Sequence, residues 1–457
     1  MNSSRSVGFR AHIGVFVLAI TSGSLALTAL CACAGDHGGI DRELATYIDG
    51  IKAIDVHAHP LRYVVAGAPK DSEYDALPLD GLPPFQVPLG LRAEDPRYRD
   101  AQHSLYGVSM MDTGAPFAKS LADARAAAIR DRGEHFPSWV LDQAGIDVML
   151  SNRIAMGAGL AAPRFRWVPF VDALMLPLNT RGEGRTPDTK ALYPLEDRLL
   201  RRYLADLGLT GIPATLDAYT TQVVRGTVER QKAAGAVGVK FEAAYLRSLD
   251  FEPSDSTAAR SVYSRYANGG VPSHSDYALL QDYLFRVIAR EAGRLKLTIQ
   301  IHSTEGFGGF YSPEGAAPHQ LESVFNDETL RGTTFVLVHG GWPRVEETMA
   351  LIGKPNVYAD ISMMDLLAEP HSLANALRMW LGEWPEKVMF GSDAFDGGDA
   401  QGWEQVTWVA SRTARGALAK ALTGMVRDRE ISADRARVLA RMVLRDNAVT
   451  AYHLDVR

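Results

Sequence analysis

The chain has 457 residues, which is enough for two or three domains or for a single α/β barrel with insertions. Hydrophobic residues make up 46% of it and charged residues 22%, an ordinary composition for a globular protein with a sizeable core. The formal charge of -6 comes without long basic or acidic runs, which argues against a nucleic-acid partner and leaves a small-molecule substrate as the expected one.

The N-terminal segment has the pattern of an export signal. Arg5 and Arg10 precede an apolar run over residues 13–30, and small residues follow it. We therefore predict an export leader over residues 1–33 and a tether over residues 34–49. The protein is expected to leave the cytoplasm of a bacterium and to be periplasmic or held at the membrane.

The end of this leader, Leu30-Cys31-Ala32-Cys33, is similar to the cleavage site of bacterial lipoproteins, where a lipid is attached to the cysteine. A lipid on Cys33 would then be the contact with the membrane. Ordinary cleavage after Ala34 and a retained membrane helix are the alternatives. Both cysteines of the chain lie in this segment, so metal ligands in the remainder are limited to His, Asp, Glu and Lys.

Eight short apolar or β-branched runs alternate with helical patterns within residues 50–457. They lie at residues 53–56, 147–150, 166–172, 237–241, 297–301, 334–338, 356–361 and 387–390. Short buried strands that alternate with helices indicate parallel pairing and crossover helices. Eight such units predict an α/β fold that is a closed (β/α)8 barrel of the TIM type.

Two stretches break this repeat. Residues 61–131 carry several prolines and few periodic segments, and we predict a long insertion after strand 1 that covers the C-terminal face as a lid. Residues 176–213 are likewise expected to be irregular. Helices are predicted over residues 214–234 and 277–294, and a last helix is expected to begin at Ser432.

The motif His57-Ala58-His59 follows the first predicted strand. Side chains two residues apart in a strand point to the same face, so both rings can face one ion. On its own, the motif is equally compatible with two surface or strand-capping histidines. Partners elsewhere in the sequence distinguish the two interpretations.

Polar residues stand at the ends of four other predicted strands. Lys240 is near the end of the fourth, His302 ends the fifth, His339 ends the sixth and Asp393 ends the eighth. In a barrel these ends meet at one mouth, so residues far apart in sequence are expected to share one pocket with the His-x-His motif. The alternative, that each is an unrelated strand-capping residue, requires several coincidences.

The ordered set of His-x-His, His, His and Gly-Ser-Asp at strands one, five, six and eight resembles the amidohydrolase superfamily. Within it, the chain is similar to the amidohydrolase-related group of metal-dependent hydrolases and aminocarboxymuconate-semialdehyde decarboxylases. The resemblance extends from Ile54 to the closing segment 444–448. It implies that one divalent ion, expected to be zinc, is held by His57, His59, His302 and Asp393.

The same resemblance implies catalytic roles. His339 would act beside the ion, by orienting or deprotonating the attacking water or by polarising the substrate. Asp393 would also carry a proton from the water to the leaving group. Some members of the superfamily have a strand-four lysine whose carbamate bridges two ions, so Lys240 is a further candidate ligand. A salt bridge with Glu242 is the alternative for Lys240.

We therefore expect an enzyme, a metal-dependent hydrolase that attacks an amide, lactone or related acyl bond with activated water. Non-hydrolytic decarboxylation in the same pocket and a non-enzymatic ligand-binding lipoprotein are the alternatives. Arg153, Arg164 and Arg166, near strands two and three, are expected to form ordinary surface ion pairs, with a substrate carboxylate as the alternative partner.

Overall fold

The computed structural model, which describes residues 39–109, 114–398 and 400–456, contains eight short strands that pair in parallel and in chain order. Their backbone positions are almost all buried, as expected for parallel strands that are covered on both faces. The strands are β1 (Ala53–Ala58), β2 (Ile146–Asn152), β3 (Phe165–Val168), β4 (Gly238–Phe241), β5 (Thr298–His302), β6 (Phe335–Val338), β7 (Val357–Asp360) and β8 (Val388–Met389).

The strands form two sheets, β1 to β3 and β4 to β8, and further contacts join the sheet edges. A bridge between Phe170 and Lys240 links the end of β3 to β4. A bridge between Ala58 and Ala394 links β1 to the segment after β8. The eight strands thus follow one another around a ring, and the predicted (β/α)8 architecture is confirmed.

Helices follow the strands and surround them. They are α1 (Arg42–Gly50), α2 (Pro96–Tyr106), α3 (Gly114–Arg132), α4 (Phe136–Ala144), α5 (Pro187–Asp206), α6 (Leu216–Ala218), α7 (Gly226–Ala233), α8 (Ser256–Tyr266), α9 (His274–Arg294), α10 (Glu322–Phe325), α11 (Val345–Ile352), α12 (Met364–Leu367), α13 (Pro370–Glu383), α14 (Trp403–Arg427), α15 (Ala433–Arg441) and α16 (Asn447–Ala451). Ser432 caps α15 with its side chain, at the predicted start of the last helical region.

The insertion predicted after strand 1 lies between β1 and α4 and includes α2 and α3, which its composition did not reveal. Residues 176–213 were expected to be irregular, and that prediction is wrong, because α5 occupies 20 of them. Pro194 inside α5 obscured its periodicity, while Thr186 and Thr189 form a capping box that starts the helix.

The prediction of a tether over residues 34–49 is also wrong for the second half of this range. The Asp41 side chain accepts hydrogen bonds from the first turn of α1, and Leu44 and Ile48 are buried. This helix packs against α14 and α15, so burial of its apolar face holds it on the barrel.

Residues 34–38, the predicted leader and Cys33 lie outside the described residues. Within the described part, no helix is both long enough and apolar enough to cross a membrane.

Candidate metal centre

Two histidines and an aspartate converge at the C-terminal end of β1. The Nε2 atom of His57 lies 3.0 Å from Oδ1 of Asp393, and Nε2 of His59 lies 3.5 Å from the same oxygen. The ligand atoms of all three residues lie within 4.8 Å of one another, and all three side chains are buried. This spacing suits ligands that face one ion. The fold therefore brings the strand-one motif and the strand-eight aspartate together.

Hydrogen bonds to β1 fix the loop that carries the aspartate. The backbone N–H of Asp393 donates to the carbonyl of His57 at 2.7 Å, and the Ser392 hydroxyl donates to Oδ2 of Asp55 at 2.6 Å. Burial acts to raise the pKa of Asp393, but the imidazoles of His339 and His57 outweigh it and hold this pKa well below its usual value. Asp393 is therefore an anion at neutral pH, as a metal ligand must be.

Two site residues have left-handed backbones, which are uncommon for residues with a Cβ. The φ angle is +65° at His339 and +50° at Asp393. Gly340 follows with a φ of +53°, and a Cβ there would lie 2.5 Å from a ring carbon of Trp380. Such strained conformations cluster at functional sites, where the surrounding packing enforces them.

A glutamine in β5 orients the first histidine. Nε2 of Gln300 donates to the carbonyl of Val56 at 2.6 Å, which fixes the amide so that Oε1 faces Nδ1 of His57 at 3.1 Å. Because Oε1 can only accept, His57 carries its proton on Nδ1 and keeps the Nε2 lone pair for an ion. Burial lowers the pKa of His57 to about 4, so the ring is neutral.

A chain of hydrogen bonds orients two further histidines of the site, His339 and His302. Burial raises the pKa of Asp360 to about 6, so at neutral pH this carboxylate accepts the Ser362 hydroxyl proton. Ser362 Oγ then accepts from Nδ1 of His339 at 3.0 Å, and Nε2 of His339 accepts from Nδ1 of His302 at 3.1 Å. Nε2 of His302 is left with a lone pair, and it is buried without a hydrogen-bond partner among the described residues.

Lys240 extends from β4 into the same cluster and is 1% exposed. Its Nζ lies 3.1 Å from Nε2 of His57. Among the described residues it forms no ion pair with Glu242, the alternative partner considered from sequence. Lys240 therefore lies in the cluster that we predict from the sequence. The carboxylation of its amine to a carbamate remains a prediction.

Two of the three arginines near strands two and three have structural partners. Arg153 is fully buried and pairs with Asp71 at 2.9 Å, and Arg164 pairs with Asp142 at 2.8 Å. Nε of Arg166 is buried without a hydrogen-bond partner among the described residues. Arg164 therefore forms the surface ion pair that we expect from the sequence, whereas the pair of Arg153 is buried.

Several residues of the site were missed from sequence, among them Gln300 and Asp75. Gln300 precedes His302 by two positions in a buried strand, so a polar side chain on the same face was a readable signal. Asp75 lies in the insertion, and its Oδ2 is 3.3 Å from Nδ1 of His59. Nothing in the local sequence around Asp75 indicates this contact, because it depends on how the insertion folds back over the barrel.

A cavity of about 1240 Å³ opens above the cluster. The insertion supplies one wall, and the rings of Phe85 and Phe307 stack across it with centroids 6.0 Å apart. This volume is suited to a small-molecule ligand. The site residues at its foot are His57, His59, Lys240, His302, His339 and Asp393.

The donor set fits a divalent ion. Neutral imidazoles and one buried carboxylate are the usual ligands of zinc, and they also suit manganese or iron(II). The lone pairs on Nε2 of His57 and Nε2 of His302 are what such an ion requires, and both rings are uncharged at neutral pH because burial lowers both pKa values.

Comparison with protein families places the chain in a known class. A family model described as Amidohydrolase matches residues 54–454. The chain therefore belongs to the amidohydrolase family, as the ordered histidines and aspartate of the sequence predict. None of the curated proteins compared with the chain matches it significantly.

Solved structures share the fold at low sequence identity. A protein assigned as a metal-dependent hydrolase from Lactobacillus casei is 18% identical with a TM-score of 0.57, over 91% of this chain and 98% of that one. A uronate isomerase from Thermotoga maritima is 12% identical with a TM-score of 0.56, over 90% and 96%. A glucuronate isomerase from Caulobacter crescentus is 14% identical with a TM-score of 0.55, over 91% and 94%. These likenesses support the barrel architecture.

Replacing the orienting glutamine should weaken metal binding. In Gln300→Met, Nδ1 of His57 loses its acceptor, so the ring is no longer held with Nε2 towards Asp393. We expect the affinity for zinc to fall by roughly 10- to 100-fold, the usual cost of removing such a supporting contact. Competition with a chromophoric chelator measures it. Gln231→Met on α7 is the control, since Gln231 is also buried, and an equal loss in both variants would contradict the orienting role.

Proposed function

We propose that the protein is a metal-dependent hydrolase that cleaves an amide, lactone or related acyl bond of a small molecule. The observation that carries the proposal is the convergence of His57, His59 and the anionic Asp393 at the foot of a large cavity. Membership of the amidohydrolase family supports this class of chemistry. The further proposals that the ion is zinc and that Lys240 forms a bridging carbamate rest on the resemblance to that family.

The residues of the chain have distinct roles in this proposal. His57, His59, His302 and Asp393 would hold the ion, which when bound supplies a Lewis acid for the acyl group and makes water nucleophilic at neutral pH. Oδ1 of Asp393 faces His57 and His59, while Oδ2 lies 3.9 Å from Nδ1 of His339. Asp393 accepts the proton of the attacking water and delivers it to the leaving group. His339, held by Ser362, positions the reacting groups.

A substrate panel tests the reaction type. N-acyl amino acids, lactones and aromatic carboxylic acids are assayed with zinc or manganese, and hydrolysis is scored separately from the release of carbon dioxide. We expect hydrolysis that stops on chelation and returns on addition of the metal. Carbon dioxide release without hydrolysis would replace this proposal with the decarboxylase alternative. Metal-independent binding without turnover would favour a ligand-binding lipoprotein.

We also propose that the protein is exported and held at the membrane by a lipid on Cys33. The basis is the charged and apolar N-terminal sequence with its lipoprotein-like end. Mass spectrometry of the mature N-terminus tests this. A lipid-bearing Cys33 supports the anchor, and an unmodified N-terminus at residue 35 would show ordinary signal cleavage instead.

A further inference from the structure

A second group of ligand atoms lies on the other side of His59. Its Nε2 faces Asp393, whereas its Nδ1 lies 3.3 Å from Oδ2 of Asp75. Nδ1, a carboxylate oxygen of Asp75 and a carboxylate oxygen of Glu242 all lie within 4.8 Å of one another. Asp75 comes from the insertion and Glu242 directly follows β4, so two separate parts of the chain are brought to one point.

These atoms are not engaged in other contacts. Oδ1 of Asp75 accepts from the backbone N–H of Leu77 at 3.0 Å, which leaves Oδ2 directed at His59. Apart from its 3.3 Å contact with Asp75, Nδ1 of His59 is buried without a hydrogen-bond partner among the described residues, and so is Oε2 of Glu242; the two residues are only 6% and 5% exposed. Such orphaned polar atoms are rare and costly in folded proteins, so they indicate a missing partner.

The chemistry of the surrounding side chains favours a cation as this partner. Asp172 and Glu196 are fully buried nearby, and each has an orphaned carboxylate oxygen among the described residues. Lys240 directs its Nζ at Nε2 of His57 and forms no ion pair with these carboxylates in the part of the chain that the structure describes. Buried acids at this density are stable when they hold their protons or when a positive ion joins them, and the orphaned oxygens beside Nδ1 of His59 offer such an ion its ligands.

We propose that Nδ1 of His59, Asp75 and Glu242 bind a second divalent cation, next to the ion of the proposed function. The 3.3 Å between Nδ1 and Oδ2 agrees with the edge of a tetrahedron whose ligands lie about 2.0–2.1 Å from zinc. One imidazole and two carboxylates also suit manganese or iron(II). With ions on both sides, His59 bridges them as an imidazolate, and its ring proton leaves to solvent as the second ion binds.

This site differs from the carbamate-bridged pair in the ligands that it uses. It needs neither carbon dioxide nor Lys240, and it does not use His302 or His339. Because Asp75 and Glu242 line the same cavity as the first cluster, the second cation would face the bound small molecule. The proposal goes beyond the proposed function and shares only His59 with it.

Metal counting tests the site. The full chain is stripped with a chelator and loaded with Zn²⁺ alone in bicarbonate-free buffer, and bound ions are counted after gel filtration, with affinities from chelator competition. We expect Asp75→Asn and Glu242→Gln each to bind one ion fewer than the wild type, or to bind it at least 10-fold more weakly. Asp80→Asn, which alters a carboxylate of the same insertion and cavity, should match the wild type.

The outcomes separate the proposals. If both variants bind as many ions as the wild type with unchanged affinity, the second site is wrong and Asp75 only orients His59. If Asp75→Asn and Glu242→Gln lose no ion, and a second ion binds only after bicarbonate is added and is lost in Lys240→Met, then the second ion lies at a carbamate and the proposal is again overturned. A wild type that binds no ion would overturn the proposed function as well. Thermal melts check folding, and Asp75→Asn, whose side chain is 16% exposed, remains informative if Glu242→Gln does not fold.

Discussion

Asp393→Asn should lower kcat by roughly 10²- to 10⁴-fold, the usual contribution of a positioned acid or base. The amide has the shape of the carboxylate, so the loop that donates its backbone N–H to the His57 carbonyl should keep its place. It cannot accept the proton of the attacking water, and it removes the one negative charge among the three converging ligands. We therefore expect a folded protein with weakened metal binding and little turnover.

The measurement is kcat on whichever substrate of the panel the wild type hydrolyses, with zinc at saturation and the metal content of each sample determined. Asp396→Asn is the matched control. This residue belongs to the same loop and lines the same cavity, but its carboxylate faces Arg125 at 3.7 Å and not the histidines. Near-native kcat in Asp393→Asn, or an equal loss in both variants, would show that Asp393 does not carry the proton.

The barrel was accessible from sequence because its strands are short, buried and separated by helical patterns. All eight strands lie at the predicted places, and their ends fall within a few residues of those expected. Since a barrel gathers its strand ends at one mouth, the fold prediction also located His57, His302 and Asp393. This inference requires only the order of strands and helices along the chain. The alternation of short apolar runs with helical patterns in the sequence provides that order.

Features that depend on tertiary packing were not accessible. Helix α1 is stabilised by contact with α14 and α15 at the far end of the chain, so its sequence alone suggested a tether. Asp75 approaches His59 only because the insertion folds back towards the barrel mouth, and spacing along the chain carries no sign of that. The positions of the protons from Asp360 to His302 likewise follow only from the distances between these side chains in the fold.

Asp71→Asn should destabilise the protein by about 3–5 kcal/mol, because it leaves a buried guanidinium without its counter-ion. Arg153 pairs with both oxygens of Asp71, at 2.9 and 3.0 Å, and both side chains are almost fully buried. Arg153 also donates to the carbonyl of Pro60. The pair therefore fastens the first part of the insertion to the end of β2, next to the cavity. Urea unfolding at pH 7 measures the loss.

The pH dependence gives this prediction a second signature. Burial acts to raise the pKa of Asp71, but Arg153 outweighs it and the pKa lies below its usual value. The folded state therefore gains stability from Asp71 above the ordinary aspartate pKa of about 4, and this gain is lost as the pH falls through the lower folded value. The difference in the free energy of unfolding between wild type and Asp71→Asn should thus be constant from neutral pH to about pH 5 and should shrink below about pH 4.

The control is Asp217→Asn, which breaks an exposed pair with Arg260 and should therefore lower the free energy of unfolding by less than about 1 kcal/mol. Equal losses of stability in the two variants would show that burial does not increase the contribution of the Arg153–Asp71 pair.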